Sequence, residues 1–137
     1  ESTLIDSVRS RHTVASLQRL GIRISLDDYG TGWSSLARLQ DVPVDELKLD
    51  RVFVVRLAYD ARSVAIVRSA VALADSLGAE LVAEGVEDEI TLGALRRCGC
   101  TITQGFVHSP PLPADELRCW MAAHAAAARV VRQPAES

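Results

Sequence analysis

The chain has 137 residues, of which 48% are apolar and 24% charged, and its formal net charge is −3. These values suit one compact globular domain and exclude both a basic nucleic-acid wrapper and a disordered acidic tail, so any nucleotide ligand must be held by a local site. No apolar run approaches the roughly 20 residues of a membrane span, no signal peptide opens the sequence, and the three cysteines, Cys98, Cys100 and Cys119, form an odd set. The expectation is a soluble, cytoplasmic chain with free thiols that contacts neither a membrane nor a nucleic-acid polymer.

Apolar spacing sets the order of elements. Leu4, Val8, Leu17 and Leu20 recur at helical intervals, with Asp6 or Ser7 near the start and Gly21 placed as a stop. A strand over 22–26 follows and gives way to the polar run Asp27-Asp28-Tyr29-Gly30-Thr31-Gly32. A short helix over 34–39 leads through Pro43 to a strand over 46–50 that alternates polar and apolar residues. The stretch 61–77 carries Val64, Val67, Val71 and Ala74 on one stripe and meets Gly78, which predicts a helix with a glycine stop.

The same unit then recurs: a strand over 80–83, a helix over 88–97 closed by Gly99, a strand over 100–103, and a helix from Ala114 to about Val130. Asp115 and Glu116 fall in the first turn of that last helix, where they favour its dipole. The tail 133–137 reads as frayed. Strands alternating with helices imply an α/β fold of parallel strands joined by right-handed crossovers, either an open doubly wound sheet or part of a (β/α)8 barrel. Gly30-Thr31-Gly32 is followed by Trp33-Ser34-Ser35, so the dinucleotide fingerprint is absent, and there is no P-loop.

What gathers at the strand ends is more specific. The first strand ends in Asp27 and Asp28, the second carries Lys48 and Asp50, the third ends in Glu84 and the fourth in Gln104. In a parallel α/β fold these ends share one face. Adjacent carboxylates repel unless a cation lies beside them, and oxygen-rich sites suit Mg²⁺ or Mn²⁺. Two such ions about 4 Å apart can stabilise the attacking and leaving oxygens of phosphodiester cleavage, with an ammonium orienting the water. Among the fifteen basic residues Lys48 is the only lysine. Codon bias accounts for the arginine excess but not for this exception, which stands where a compact, titratable ammonium differs from a guanidinium.

These residues resemble a known family. Asp27-Asp28-Tyr29-Gly30-Thr31-Gly32-Trp33-Ser34-Ser35-Leu36 looks like the DDFGTGYSSL loop of EAL-domain cyclic di-GMP phosphodiesterases. Pro43-Val44-Asp45-Glu46-Leu47-Lys48-Leu49-Asp50 resembles that family's PVDxLKID segment, Ala83-Glu84-Gly85-Val86-Glu87 its AEGVE, and Gln104-Gly105-Phe106 its QGY. The resemblance implies the C-terminal half of a (β/α)8 barrel over 1–132. It further implies hydrolysis of cyclic di-GMP to linear pGpG with two Mg²⁺ or Mn²⁺ ions.

Carried over by motif, Asp27 and Asp28 would be metal ligands and Lys48 would hold or activate the water. Glu84 would complete the metal and water network, and Gln104 would hydrogen-bond near the water. Asp50 and Glu87 fit their motifs in ligand-binding or loop-support roles, and Glu1 matches the final glutamate of an E-x-T-E segment that supports the loop after the paired aspartates. Tyr29 and Trp33 keep the aromatic character of their positions, while Pro110 stands where the family often has Lys or Arg. The namesake Glu-Ala-Leu, an asparagine ligand and the metal-binding glutamate of E-x-T-E belong to the first half of the barrel and are not in this sequence.

Two function classes therefore stand side by side. One is the phosphodiesterase domain, with sensory or signalling domains upstream in a full-length protein. The other is a catalytically inactive half-barrel acting as a binding or dimerisation module. Halving a barrel would expose two strand edges and an apolar interior, which points to a homodimer. The remaining features read as ordinary: His12, His108 and His124 lack a second ligand at metal spacing, Cys98-Gly99-Cys100 is no zinc motif, and Leu117, Trp120 and Met121 suit helix packing.

Overall fold

The computed structural model describes residues 2–30, 39 and 43–131, with side chains for 11–30, 39 and 43–124. Glu1, Thr31 to Leu36 and the tail 133–137 lie outside the described residues, as does the expected helix over 34–39 apart from Leu39, which is helical. In chain order the elements are α1 (Ser2–Arg19), β1 (Ser25–Tyr29), β2 (Glu46–Leu49), α2 (Arg51–Val54), α3 (Ala61–Leu77), β3 (Glu80–Ala83), α4 (Glu89–Arg97), β4 (Ile102–Thr103) and α5 (Ala114–Val131). The four strands form one parallel sheet in the order β1-β2-β3-β4, as the alternation of elements predicts.

Side-chain caps set the helix starts. Asp60 accepts hydrogen bonds from Arg62 N at 3.0 Å and Ser63 Oγ at 2.9 Å at the head of α3. Asp88 does the same for α4, from Thr91 N at 2.7 Å and Thr91 Oγ1 at 3.0 Å. Each carboxylate satisfies a backbone donor that the first helical turn leaves without a partner.

Three strand limits differ from the sequence expectation, each for a hydrogen bond made at the strand's end. The amide of Ile24 donates to Asp45 Oδ2 at 2.7 Å, so the ladder of β1 begins at Ser25 instead of Ile22 and extends to Tyr29, carrying both aspartates inside the strand. The side chain of Asp50 caps α2, which ends β2 at Leu49. The amide of Cys100 donates to Leu95 O at 3.0 Å, back to the end of α4, and so β4 begins only at Ile102.

Register separates the two faces of the sheet, since side chains alternate along a strand. Leu26, Leu47 and Leu81 stand in register, as do Tyr29, Leu49 and Ala83. This face packs with Val67, Ala70 and Ala74 of α3 and Leu92, Ala94 and Leu95 of α4 into the core. The opposite face carries Ser25, Glu46, Lys48 and Glu80 together with Val82 and Ile102. Ser25 Oγ donates to Glu46 Oε1 at 2.8 Å, and Arg23 pairs with Glu80. Among the described residues, then, the open face is largely charged, and the apolar interior expected of a half-barrel reduces there to Val82 and Ile102.

Leu95 is fully buried in the core, whereas Ile90 of the same helix is 71% exposed. Leu95→Ala should cost about 2–5 kcal/mol in urea unfolding, through lost transfer energy and a cavity, while Ile90→Ala should stay within about 0.5 kcal/mol. The hydrogen bonds to Asp45, from Ile24 N first and Gln18 second, hold its carboxyl below the usual range. Asp60 is lowered by Ser63 Oγ and then Arg62 N, and Asp88 by Thr91 N and then Thr91 Oγ1. Their contribution to stability is therefore complete above the ordinary carboxyl value of about 3.9 and is lost as pH falls through the lower folded values. In acid titrations followed by circular dichroism, Asp88→Asn should flatten part of that loss.

Candidate functional site

Parallel strands bring their C-terminal ends to one edge, and there the register of β1 against β2 is irregular. Leu26 pairs with Leu47 and Tyr29 with Leu49, so two residues, Asp27 and Asp28, stand opposite the single residue Lys48. This is a β-bulge, and Asp28 takes a left-handed φ of 56° within it. Such a backbone is uncommon outside glycine but tolerated by Asp. The amide of Asp28 donates to Asp27 Oδ1 at 3.2 Å.

Lys48 Nζ lies 3.3 Å from Asp27 Oδ1 and 2.5 Å from Oε1 of Glu84, the residue that follows β3. Three strand ends thus meet at one ammonium. The Lys48 and Glu84 side chains are 23% and 20% exposed, against 64% for Asp27, so the contact with Glu84 is the better shielded. The hydrogen bond to Glu84 raises the Lys48 pKa above the ordinary lysine value; desolvation opposes it, and Asp27 adds to it. At neutral pH Lys48 is consequently an ammonium with protons to donate, and no base.

The other expected site residues are engaged nearby. Asp50 Oδ1 accepts from Val52 N at 2.7 Å, and Glu87 Oε1 pairs with Arg51 Nη2 at 2.8 Å, so both serve α2 instead of touching Lys48. Gln104 follows β4, and its backbone amide donates to Ala83 O at 2.8 Å while its carbonyl accepts from Val86 N at 3.1 Å. Its exposed side chain borders a cavity of about 490 Å³ that also meets Phe106, His108, Pro110 and Trp120.

Some of these neighbours escape a sequence reading. Arg51 follows the second motif directly, and its only sequence signal is an opposite charge to Glu87. His108 Nε2 lies 2.7 Å from Thr103 Oγ1 on the cavity wall, and Trp120 stacks on His124 with ring centroids 3.8 Å apart.

As a metal centre the cluster has suitable chemistry and too few ligands. Asp27, Asp28 and Glu84 offer the hard carboxylate oxygens that suit Mg²⁺ or Mn²⁺. Among the described residues, however, no three His, Cys, Asp or Glu side chains are grouped so that they could hold an ion. The residues present fit as contributors to a ligand set. Also among the described residues, no helix is long and apolar enough to cross a membrane.

Residues 1–111 match the family described as "EAL domain". MucR of Pseudomonas aeruginosa, a bifunctional diguanylate cyclase/cyclic di-GMP phosphodiesterase, is 45% identical over 118 residues, which is 85% of this chain and 17% of MucR. The cyclic di-GMP phosphodiesterase NbdA of the same organism is 41% identical over 79% of this chain and 14% of its own length. Among solved structures, the EAL domain of Mycobacterium smegmatis DcpA superimposes with a TM-score of 0.82 at 42% identity, covering 86% of this chain and 53% of that one. The PaMucR phosphodiesterase in complex with c-di-GMP gives a TM-score of 0.73 at 45% identity, over 82% of this chain and 45% of that one. A manganese/cy-diGMP complex of Klebsiella pneumoniae BlrP1 gives 0.69 at 34%, over 74% and 26%. The chain therefore spans about half of the solved DcpA domain and a small part of the curated relatives.

Because Lys48 is the only lysine, protein labelled with ¹³C at lysine Cε should give one titrating signal. Its midpoint should lie above about 10.4 and fall in Glu84→Gln. The raised folded pKa means that the pairing stabilises fully below the unfolded value and is lost as pH rises through the folded one. Glu84→Gln should accordingly show a shallower alkaline loss of stability than the parent chain.

Proposed function

The chain belongs to the EAL domain family, and from that premise we propose that it supplies the C-terminal half of a cyclic di-GMP phosphodiesterase domain, which hydrolyses one phosphodiester bond to give linear pGpG. The observation that carries this reading is Lys48 Nζ held between Asp27 and Glu84 at three adjacent strand ends. Charge explains why such a site calls for cations. Asp27 and Glu84 pair with one ammonium and Asp28 adjoins Asp27 in the bulge, so the cluster alone is net negative and repels a phosphodiester.

Asp27 and Asp28 would hold Mg²⁺ or Mn²⁺, and Glu84 would complete the metal and water network. A divalent ion supplies charge stabilisation at the attacking and leaving oxygens and makes water more acidic. Lys48, kept protonated by its carboxylate neighbours, would donate to the attacking water and orient it, and Gln104 would hydrogen-bond the same water from the end of β4. Removal of the water's proton falls to a group other than Lys48 while the lysine stays paired.

A second reading, a half-barrel that binds ligand without turnover, draws on the absence of a three-ligand metal group among the described residues. The two separate on incubating the chain with cyclic di-GMP and Mn²⁺ and measuring both pGpG and heat of binding. Turnover that falls by about 10²–10⁴-fold in Lys48→Met, and likewise in Asp27→Asn, is the expected result for the enzyme. Binding without any pGpG would sustain the second reading and overturn the first for this chain.

A further inference from the structure

We propose that Arg51 is a positioning residue, which fixes Glu84 against Lys48 by clamping the loop 84–87 from the end of β2. The inference rests on the reading of Lys48 and Glu84 as site residues and adds what holds them in place.

The clamp begins with Asp50, whose carboxylate caps α2 and makes Arg51 the first residue of that helix, two places after Leu49. From there the aliphatic stem of Arg51 lies on Gly85, so closely that a Cβ at Gly85 would stand 2.5 Å from Arg51 Cγ. Gly85 has a φ of 68°, so a side chain there would be strained as well as crowded. Beyond Gly85, the guanidinium reaches Glu87 at 2.8 Å. Arg51 therefore bears on the loop at two points.

The loop is tied on its other sides by main-chain bonds. The amide of Glu84 donates to Leu49 O at 3.1 Å, Val86 N donates to Gln104 O at 3.1 Å, and Val107 N donates to Val86 O at 3.0 Å. A loop so short and so bonded moves as a unit, and its first side chain is the carboxylate 2.5 Å from Lys48 Nζ. The Arg51 and Glu87 side chains are 59% and 48% exposed, and pairs in that setting add little to global stability. What the pair contributes is geometry: it joins the ends of β2 and β3 where Lys48 and Glu84 must meet, and through Val86 it reaches Gln104.

The test uses the single Lys48 signal of ¹³Cε-lysine-labelled protein at pH 7, together with amide hydrogen exchange. In Arg51→Ala and in the isosteric Glu87→Gln, the amides of Glu84 and Val86 should exchange at least about tenfold faster while those of Val67 and Ala70 in α3 are unchanged. The Lys48 signal should move toward that of free lysine, and the double variant Arg51→Glu, Glu87→Arg should return both readouts to the parent values. A Lys48 signal that stays put in the folded single variants, or that the exchanged pair fails to restore, overturns the clamp. Should Arg51→Ala not fold, Glu87→Gln decides alone. A chain that turns over no cyclic di-GMP still reports its Lys48 signal, so failure of the proposed activity and failure of the clamp are read separately.

Discussion

Three residues of β1 span the distance that two residues of β2 cover between the Leu26–Leu47 and Tyr29–Leu49 pairs, and the surplus residue decides where the charges fall. Strict alternation after Leu26 would send Asp27 to the open face, Asp28 into the core beneath α3, and Tyr29 away from it. A carboxylate buried without a partner is costly enough to forbid that register. The bulge returns Tyr29 to the core side, where it packs against the hydrophobic cluster, and leaves both aspartates beside Lys48. The left-handed φ of Asp28 is the local strain that accompanies this arrangement.

Once the bulge is in place, the rest of the sheet acts as its rigid backing. Leu47 and Leu49 flank Lys48 in sequence and are both fully buried on the other face, so the lysine is anchored on either side along its strand. Packing that dense leaves a short strand little freedom to shift. The candidate site residues sit one place before or just beyond these anchors, which is the common division between a packed scaffold and the loops at its rim. The choice of lysine among so many arginines also gains a geometric account: a compact ammonium fits at 2.5 Å from one carboxylate and 3.3 Å from a second on another strand, where a planar fork would favour pairing with one.

Much of this was legible in the residues. The helix 61–77 and the strand 80–83 have the limits that their apolar spacing and glycine stop imply, and Asp27, Lys48 and Glu84 meet as their places at strand ends suggest. What stayed hidden is non-local. Ile22 and Ile24 favour a strand, but the amide of Ile24 is claimed by Asp45, twenty-one residues away, and no local propensity encodes that. The bulge depends on the register of two strands, and a sequence period cannot show that two residues will face one. Asp50 reads equally well as a site carboxylate and as a helix cap, and only the position of Val52 N settles which hydrogen bond it makes. Asp27 and Asp28, the expected metal ligands, are not joined by a third His, Cys, Asp or Glu in a group that could hold an ion among the described residues, because ligand count depends on more of the fold than these strand ends.

The motif glycines belong to the same constraint as the charges. A Cβ on Gly105 would stand 2.1 Å from Val86 O and 2.4 Å from Val86 N, so any side chain there would push apart the two loops that the Val86–Gln104 bond joins. Gly85 plays the matching part beneath Arg51. Glu84 and Gln104 thus owe their places less to their own side-chain contacts than to two close approaches, Gly85 against Arg51 after β2 and Gly105 against Val86 after β3, each possible because a residue has no side chain to hold it open. Polar residues that must converge from separate strands need such approaches, since a hydrogen-bonded loop positions its neighbours to a fraction of an ångström while a solvated one does not. On that view the short runs around Glu84 and Gln104 are single mechanical units: the glycine beside each charged or amide residue lets the backbone come close enough to aim it.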